Sequence, residues 1–374
     1  MKILYLTTSI EETNYDYFLG KSFPVGNPSN QNFHSKMIRA LALAGAEVTV
    51  LSLVPFSTQG KKIVDHGNYH YIEHPDHLLD KVFLEKSLFL RAKELGPYDS
   101  VIFDSLNRHL GNVALRFHSK SEIVALLTDN PKNLTNAKKG YVKEILGNVS
   151  KADASIALSE GLLETFSMVN KPHWVTEGII EERGDAPIDF LDGSYLYFGG
   201  ALLPRYGIYD LIKAYEKTKP DYDLVIAGHG ASLEPFNNPR IKFVGRVSKQ
   251  TNYALQAHAA ALINPRPYDL HLDAESVPSK MLEYLASGKP VISTLHSKLK
   301  ELFPEEVNWV DGTLLDFFTT HLDENRKLIG LKENHSQQKL EELYGLKTQG
   351  QRIYSFLQDL SSLSKESITL ENSK

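Results

Sequence analysis

Residues 123–158 read IVALLTDNPKNLTNAKKGYVKEILGNVSKADASIAL. An apolar run, Ile123 to Thr128, leads into turn residues and a stretch with helical spacing. A second apolar run follows, Ala154 to Leu158. Short runs without polar alternation read as strands buried on both faces, and helices between them make the sheet parallel. The theme extends outward. Upstream stand Ile3 to Thr8, Glu47 to Leu53 (EVTVLSL) and Ser100 to Asp104 (SVIFD). Downstream, Trp174 to Glu177 closes the series. After the first strand comes a Pro/Asn/Ser loop, Pro24 to Gln31. Phe33, Met37, Ile38, Leu41 and Leu43 then recur at helical spacing, and Gly45 stops that helix.

The segment Glu181 to Asp192, EERGDAPIDFLD, breaks the rhythm and reads as a linker. The alternation then restarts at Tyr195–Phe198, Leu224–Ala227, Ile241–Val244, Ala260–Ile263, Pro290–Ser293 and Val307–Val310. From Leu346 the tail reads as an amphipathic helix. The expected fold class is α/β, with two Rossmann-like domains, 1–185 and 190–345, facing each other across a cleft. A terminal helix, 346–374, follows. Ligands of doubly wound sheets bind at the carboxyl ends of the strands. That places the site without naming the reaction, because dehydrogenases, periplasmic binding proteins and sugar-transferring enzymes share the outline.

Composition narrows the classes. The chain has 374 residues, 42% hydrophobic and 23% charged, with a net charge of −5. It contains no cysteine, which excludes disulfides, thiolate zinc sites and a cysteine nucleophile. Acids and bases are mixed along both halves, so no nucleic-acid footprint is present. The start, MKILYLTT, is no signal peptide, and no run approaches the roughly 20 apolar residues of a spanning helix. A cytoplasmic location fits. Lys132, Lys138, Lys139 and Lys143, interleaved with Tyr141 and Ile145, read either as a solvated helix face or as a peripheral contact with anionic lipid at the inner face of a membrane.

No G-x-G-x-x-G follows the first strand, which argues against a classical dinucleotide enzyme. Gly199-Gly200-Ala201 and Gly228-His229-Gly230 each follow a strand, and Gly207 opens a helix. Such glycines permit tight packing or close approach of backbone to phosphate, and both readings stay open. Residues 264–293, NPRPYDLHLDAESVPSKMLEYLASGKPVIS, are the most informative for chemistry. Pro278 suits the first turn of a helix. Glu275 then lies before the helix and Glu283 on its second turn. The N–H groups of Ser276, Val277, Ser279 and Lys280 are candidates to meet a diphosphate at the helix dipole. Glu283 suits the hydroxyls of a ribose, and Glu275 those of a sugar. His229 and His271 belong to no H-x-H or D-x-D pattern, so no metal site is expected.

Glu275-Ser-Val-Pro-Ser-Lys-Met-Leu-Glu283 resembles the E-x7-E signature of family-four retaining glycosyltransferases, which have the GT-B fold. With Tyr284 and Gly288-Lys-Pro-Val it is most similar to the bacterial branch written P-x-K-x-x-E-Y-x-x-x-G-x-P-V. Tyr197-Phe-Gly-Gly, Arg205-Tyr-Gly-Ile, Leu224-Val-Ile-Ala-Gly-His-Gly, Ile241-Lys-Phe-Val-Gly, Asn264-Pro-Arg-Pro, Thr128-Asp-Asn-Pro and Glu177-Gly178 resemble further family segments in order. The likeness covers most of residues 120–310.

The resemblance implies a hexosyltransferase-type enzyme that retains anomeric configuration and uses neither metal nor cofactor. The second domain would hold a UDP- or GDP-sugar through Gly199, Gly200, Gly228, Arg266, residues 276–280 including Pro278, and Glu283. The first domain would hold a glycan or lipid-linked acceptor, with Asn30 and His34 as candidates. His34 is expected to be partly exposed. The terminal helix would pack back on the first domain, and the setting would be bacterial surface polysaccharide assembly. Catalytic candidates are Glu275, Arg205 and Asp129. Asp129 alternatively caps the turn after its strand. Relatives usually carry Arg after the first-loop glycine and Lys before the later one, where this chain has Gly200 and Tyr206. Arg205 is the expected substitute, with Lys280, Arg266 and Arg246 behind it. The alternatives are a non-catalytic GT-B subunit that binds glycan or a partner enzyme, and a nucleotide-sugar epimerase.

Overall fold

The structure, a computed structural model, describes residues 1–11, 28–54, 67–73, 78–134, 137–184, 194–230, 238–267, 279–294 and 296–371. The chain divides into two units. One runs from Met1 to Ile179 and takes in the tail from Tyr344. The other lies between Ile180 and Leu343.

In the first unit the strands are β1 (Lys2–Thr7), β2 (Glu47–Val54), β3 (Tyr69–Glu73), β4 (Ser100–Asp104), β5 (Glu122–Leu127), β6 (Ala154–Ala157) and β7 (His173–Val175). They form one parallel sheet in the order β3-β2-β1-β4-β5-β6-β7. The order reverses between β1 and β4, where Ile3 pairs with Val48 on one side and Ser100 on the other. Alternate residues of β1 feed two cores. Ile3 and Tyr5 join Met37, Ile38 and Leu41 of the Pro28–Leu43 helix, whereas Leu4 and Leu6 join Leu84, Leu88 and Leu110 on the other face. Both faces are apolar because both are covered, which is why the strands read as unbroken apolar runs.

Two expectations from the sequence need correction. Residues 28–31, expected as loop, already belong to the Pro28–Leu43 helix. The strand β3, YHYIE, is unannounced in the sequence: its mixed Tyr/His/Glu composition lacks the apolar run of its neighbours. The tail forms a helix, Leu346–Glu371, whose Leu346, Ile353, Leu357 and Leu360 enter the core beside the Pro28–Leu43 helix. Gly350 allows the approach, since a Cβ there would lie 2.2 Å from the Ala40 carbonyl oxygen. Among the described residues no helix is long and apolar enough to cross a membrane.

The second unit repeats the plan. Strands β8 (Tyr195–Leu202), β9 (Asp223–Gly230), β10 (Ile241–Gly245), β11 (Ala261–Asn264), β12 (Val291–Thr294) and β13 (Val307–Val310) are parallel in the order β10-β9-β8-β11-β12-β13. The reversal falls between β8 and β11. The segment expected as a linker is anchored at its start. Glu181 is buried, bonding Lys249 at 2.5 Å and the Tyr253 hydroxyl at 3.2 Å, and Arg183 packs over Tyr253. Residues 185–192 of that segment lie outside the described residues.

Candidate active site

At the reversal point of the second sheet, the chain emerging from β8 makes a 3-10 turn, Pro204–Tyr206, then a helix, Ile208–Thr218. Gly207 joins them with φ 76°, a left-handed conformation that glycine adopts without strain. It sits so close to the end of β11 that a Cβ would lie 1.9 Å from the Pro265 carbonyl oxygen. On the other side of the reversal stands the Ser279–Ala286 helix. It buries Met281, Leu282, Tyr284 and Leu285, so Lys280 and Glu283, three apart, share the remaining face.

The two glycine pairs are not turns, as their sequence context suggests. They are the last paired residues of β8 and β9, with Gly200 opposite Gly228, Ala201 opposite His229 and Leu202 opposite Gly230. The strands approach so closely that a Cβ on Gly228 would lie 1.8 Å from the Gly200 carbonyl oxygen. The Gly199 N–H is already committed, donating to the Tyr284 hydroxyl at 2.9 Å.

What lies over Gly200 is the Lys280 ammonium: a Cβ on Gly200 would meet Nζ at 1.5 Å. A cation from another element thus stands over the glycine at this strand end, where the resemblance led to the expectation of Arg205. The ammonium sits 4.7 Å from the centroid of the Phe198 ring and 5.4 Å from that of Tyr206. Among the described residues no carboxylate forms an ion pair with it. Desolvation lowers its pKa to about 8, helped by the positive charge of Arg266 and opposed by Glu283. His229, at the end of β9, is likewise held below its ordinary pKa, by burial first and then by Arg246 and Lys280. Basic groups therefore gather at the carboxyl end of this sheet, which is an arrangement for holding an anion. Arg205, the substitute expected from the sequence, is exposed on the 3-10 turn and stacks on Tyr206, its guanidinium carbon 5.1 Å from the ring centroid. Arg266 is half-buried at the end of β11.

The half-buried Glu283 is held by a residue from the linker segment that the sequence does not single out. The Arg183 guanidinium donates to the Glu283 carbonyl at 2.5 Å, to Gln256 Oε1 at 2.7 Å and to the Tyr253 carbonyl at 3.4 Å. No sequence pattern marks such a residue. Glu275, Ser276, Val277 and Pro278 lie outside the described residues; Ser279 is exposed at the first turn of its helix.

The reversal point of the first sheet gathers a different set. His34 is fully buried, contrary to the partly exposed position expected. Its Nδ1 lies 2.8 Å from the Tyr5 hydroxyl and its Nε2 3.4 Å from Asp104 Oδ2. Asn30, one helical turn earlier, bonds the same aspartate. Asn30 is thus engaged with Asp104, and His34 Nε2 faces that carboxylate while making no hydrogen bond among the described residues. Burial opposes its charge, but His34, the Leu106 N–H at 3.1 Å and Asn30 hold its carboxyl below the ordinary value. The only sequence signal for Asp104 is its place at the end of the SVIFD run, which does not distinguish it from any strand-ending residue. Asp129 is exposed and accepts from the Asn130 N–H at 2.7 Å and Asn133 Nδ2 at 3.2 Å. The cap of the following 3-10 turn is Asn130, which accepts from the Lys132 N–H at 3.0 Å. Among the described residues no three His, Asp or Glu side chains converge on a point where a metal ion could sit.

The chain resembles several solved structures along nearly its whole length. Anabaena Alr3699/HepE, solved in complex with UDP-glucose, is 16% identical, with 96% of this chain and 100% of that one covered and a TM-score of 0.61. AviGT4, a glycosyltransferase involved in avilamycin A biosynthesis, is 16% identical, with 97% and 98% covered and a TM-score of 0.59. Sucrose-phosphate synthase from Thermosynechococcus elongatus is 13% identical, with 100% of both chains covered and a TM-score of 0.57. These likenesses show the fold, GT-B, with two Rossmann-like α/β units. Comparison with curated proteins finds no sequence match. Residues 187–342, a stretch that contains the whole second sheet, match the family model of glycosyl transferases group 1.

Proposed function

We propose that this protein is a retaining glycosyltransferase that moves a sugar from a nucleoside-diphosphate donor to an acceptor hydroxyl. The observation that carries this is Lys280, an ammonium without an ion-pair partner among the described residues, held over Gly200 at the reversal point of the sheet. UDP is the favoured nucleotide, since HepE was solved with UDP-glucose.

The chemistry is leaving-group departure. The bond from the anomeric carbon to the phosphate oxygen breaks, and a bond to the acceptor oxygen forms on the same face. The acceptor proton passes to the departing phosphate. Negative charge grows on the diphosphate, and Lys280, with Arg266 and Arg246 behind it, lowers the energy of that charge. The scheme needs neither a metal nor a protein base. Placing the enzyme in bacterial surface glycan assembly rests on the resemblance of the Pro278–Tyr284 motif. The non-catalytic alternative rests on the absence of the usual Arg/Lys pair; a cation over Gly200 supports the catalytic reading over it. Wild-type protein incubated with UDP- and GDP-sugars, UDP-glucose first, should release free nucleoside diphosphate. Failure to bind or turn over any of them would overturn the proposal.

Glu283 is assigned to the ribose hydroxyls. Glu283→Gln should weaken UDP binding roughly 10-fold, because a charge-assisted hydrogen bond contributes about 1.5–3 kcal/mol. Titration of the folded variant with UDP is the check, and unchanged affinity would remove the ribose role.

Affinity and stability should respond to pH in opposite directions. With the folded pKa of Lys280 lowered to about 8, its buried charge costs most stability below that pH. The penalty lessens as pH rises from about 8 toward the ordinary lysine value. The diphosphate needs the ammonium, so UDP affinity should fall over the same rise, with protons taken up on binding. Calorimetry of free and UDP-bound protein between pH 7 and 9.5 reads both trends. A flat affinity profile would separate Lys280 from the anion.

A further inference from the structure

An open cleft of about 800 Å³ lies within the first unit, lined in part by Leu106, Arg108, Leu134, Lys138, Tyr141 and Glu144. Leu106 follows the end of β4, and Leu134 follows the turn after β5, so the cleft stands at the carboxyl ends of adjacent strands, where ligands of such sheets bind. Its lining mixes the apolar Leu106 and Leu134 with charged side chains, and one aromatic ring is fixed there. The Tyr141 hydroxyl donates to the Leu106 carbonyl at 3.2 Å, and the Arg108 guanidinium lies 5.5 Å from the ring centroid.

The charge of the lining is unbalanced. Arg108 donates to Glu144 at 2.8 Å, and Asn112 adds a bond to the same carboxylate at 3.3 Å, so this cation and anion offset each other. Lys138 is exposed and forms no ion pair among the described residues, which leaves the lining net positive. Arg108 stands beside Lys138 in the lining, so the two cations share one wall of the cleft with a single carboxylate. The basic stretch that could have lain on a membrane turns its apolar side elsewhere: Ile145 is in the core and Tyr141 is in the cleft.

We propose that this cleft binds an acceptor sugar carrying an anionic group, a phosphate or a carboxylate, with the sugar ring against Tyr141 and the anion near Lys138 and Arg108. Calling the ligand an acceptor rests on the transferase reading; its charge rests on the cleft alone.

The full chain, with UDP present to occupy the Lys280 site, is titrated with glucose 1-phosphate, glucuronate, methyl glucoside and farnesyl diphosphate. The charged sugars should bind roughly 10-fold or more tightly than methyl glucoside, because hydrogen bonds to an anion are about twice as strong as neutral ones. Lys138→Glu should cut that preference to within about 2-fold, since it reverses the one unbalanced charge. Its melting point and UDP affinity should not move. Farnesyl diphosphate, which carries no sugar, binding more tightly than glucose 1-phosphate would overturn the sugar assignment in favour of a lipid diphosphate, and the reverse order supports a sugar phosphate. Methyl glucoside binding as tightly as the charged sugars, no binding of either charged sugar, or a preference that survives Lys138→Glu would each overturn the assignment. Loss of UDP binding alone would count against the donor reading and leave the cleft result intact.

Discussion

Lys280→Ala should lower turnover of an identified donor by about 10²-fold or more, the loss typical when one preorganised donor to developing charge is removed. The effect should fall on kcat more than on KM, because the diphosphate carries more charge as the sugar departs than in the bound donor. Lys280→Arg should recover little. The ammonium is a compact point charge over Gly200 beside the rings of Phe198 and Tyr206, and a planar guanidinium on a different stem does not reproduce that position. Gly200→Ala should mimic the loss with the lysine still present, since its methyl would stand 1.5 Å from Nζ and displace it. The double variant should then be no worse than Lys280→Ala, as both remove one interaction. Arg205→Ala, at an exposed position stacked on Tyr206, should cost far less. If Arg205→Ala proves the more damaging substitution, the cation that meets the leaving group comes from the 3-10 turn, and Lys280 does not serve the departing diphosphate.

Gly207→Ala should destabilise the second unit by about 3 kcal/mol or more, combining the left-handed backbone cost with the cost of forcing a methyl into filled space. Its Cβ would lie 1.9 Å from the backbone oxygen of Pro265, which has no rotamer to escape into. The 3-10 turn would have to move away from the end of β11, so surviving protein should also bind UDP weakly. The melting midpoint should drop by roughly 6–12 °C at 2–4 °C per kcal/mol. Gly147→Ala is the contrast. It lies in the Lys139–Val149 helix with no atom within 4 Å of its added methyl, so it should stabilise by about 0.5–1 kcal/mol. Equal melting behaviour of the two variants would show that Gly207 does not make the close approach described.

The parallel α/β character and the placement of most strands follow from the sequence alone. Continuous apolar runs such as SVIFD and IVALLT are stable only with both faces covered, and helical spacing between them leaves a parallel sheet as the one economical arrangement. The pairing of Lys280 with Glu283 on one face is legible for the same local reason: residues three apart on a helix are neighbours. Strand β3 escapes such a reading because Tyr, His and Glu alternate there without an apolar run.

Contacts between distant segments are not legible in this way. That Lys280 rather than Arg205 covers Gly200 depends on how the Ser279–Ala286 helix lies against the end of β8, and spacing in the chain says nothing of it. His34 has the pattern of a half-exposed helix residue, yet Tyr5 and Asp104, on two neighbouring strands, enclose it. Arg183 stands in a segment whose composition marks a linker, and only the folded chain brings it to Gln256 and Glu283. Composition and periodicity record which faces avoid water; which side chains meet across those faces is decided by strand order, register and packing of the whole unit.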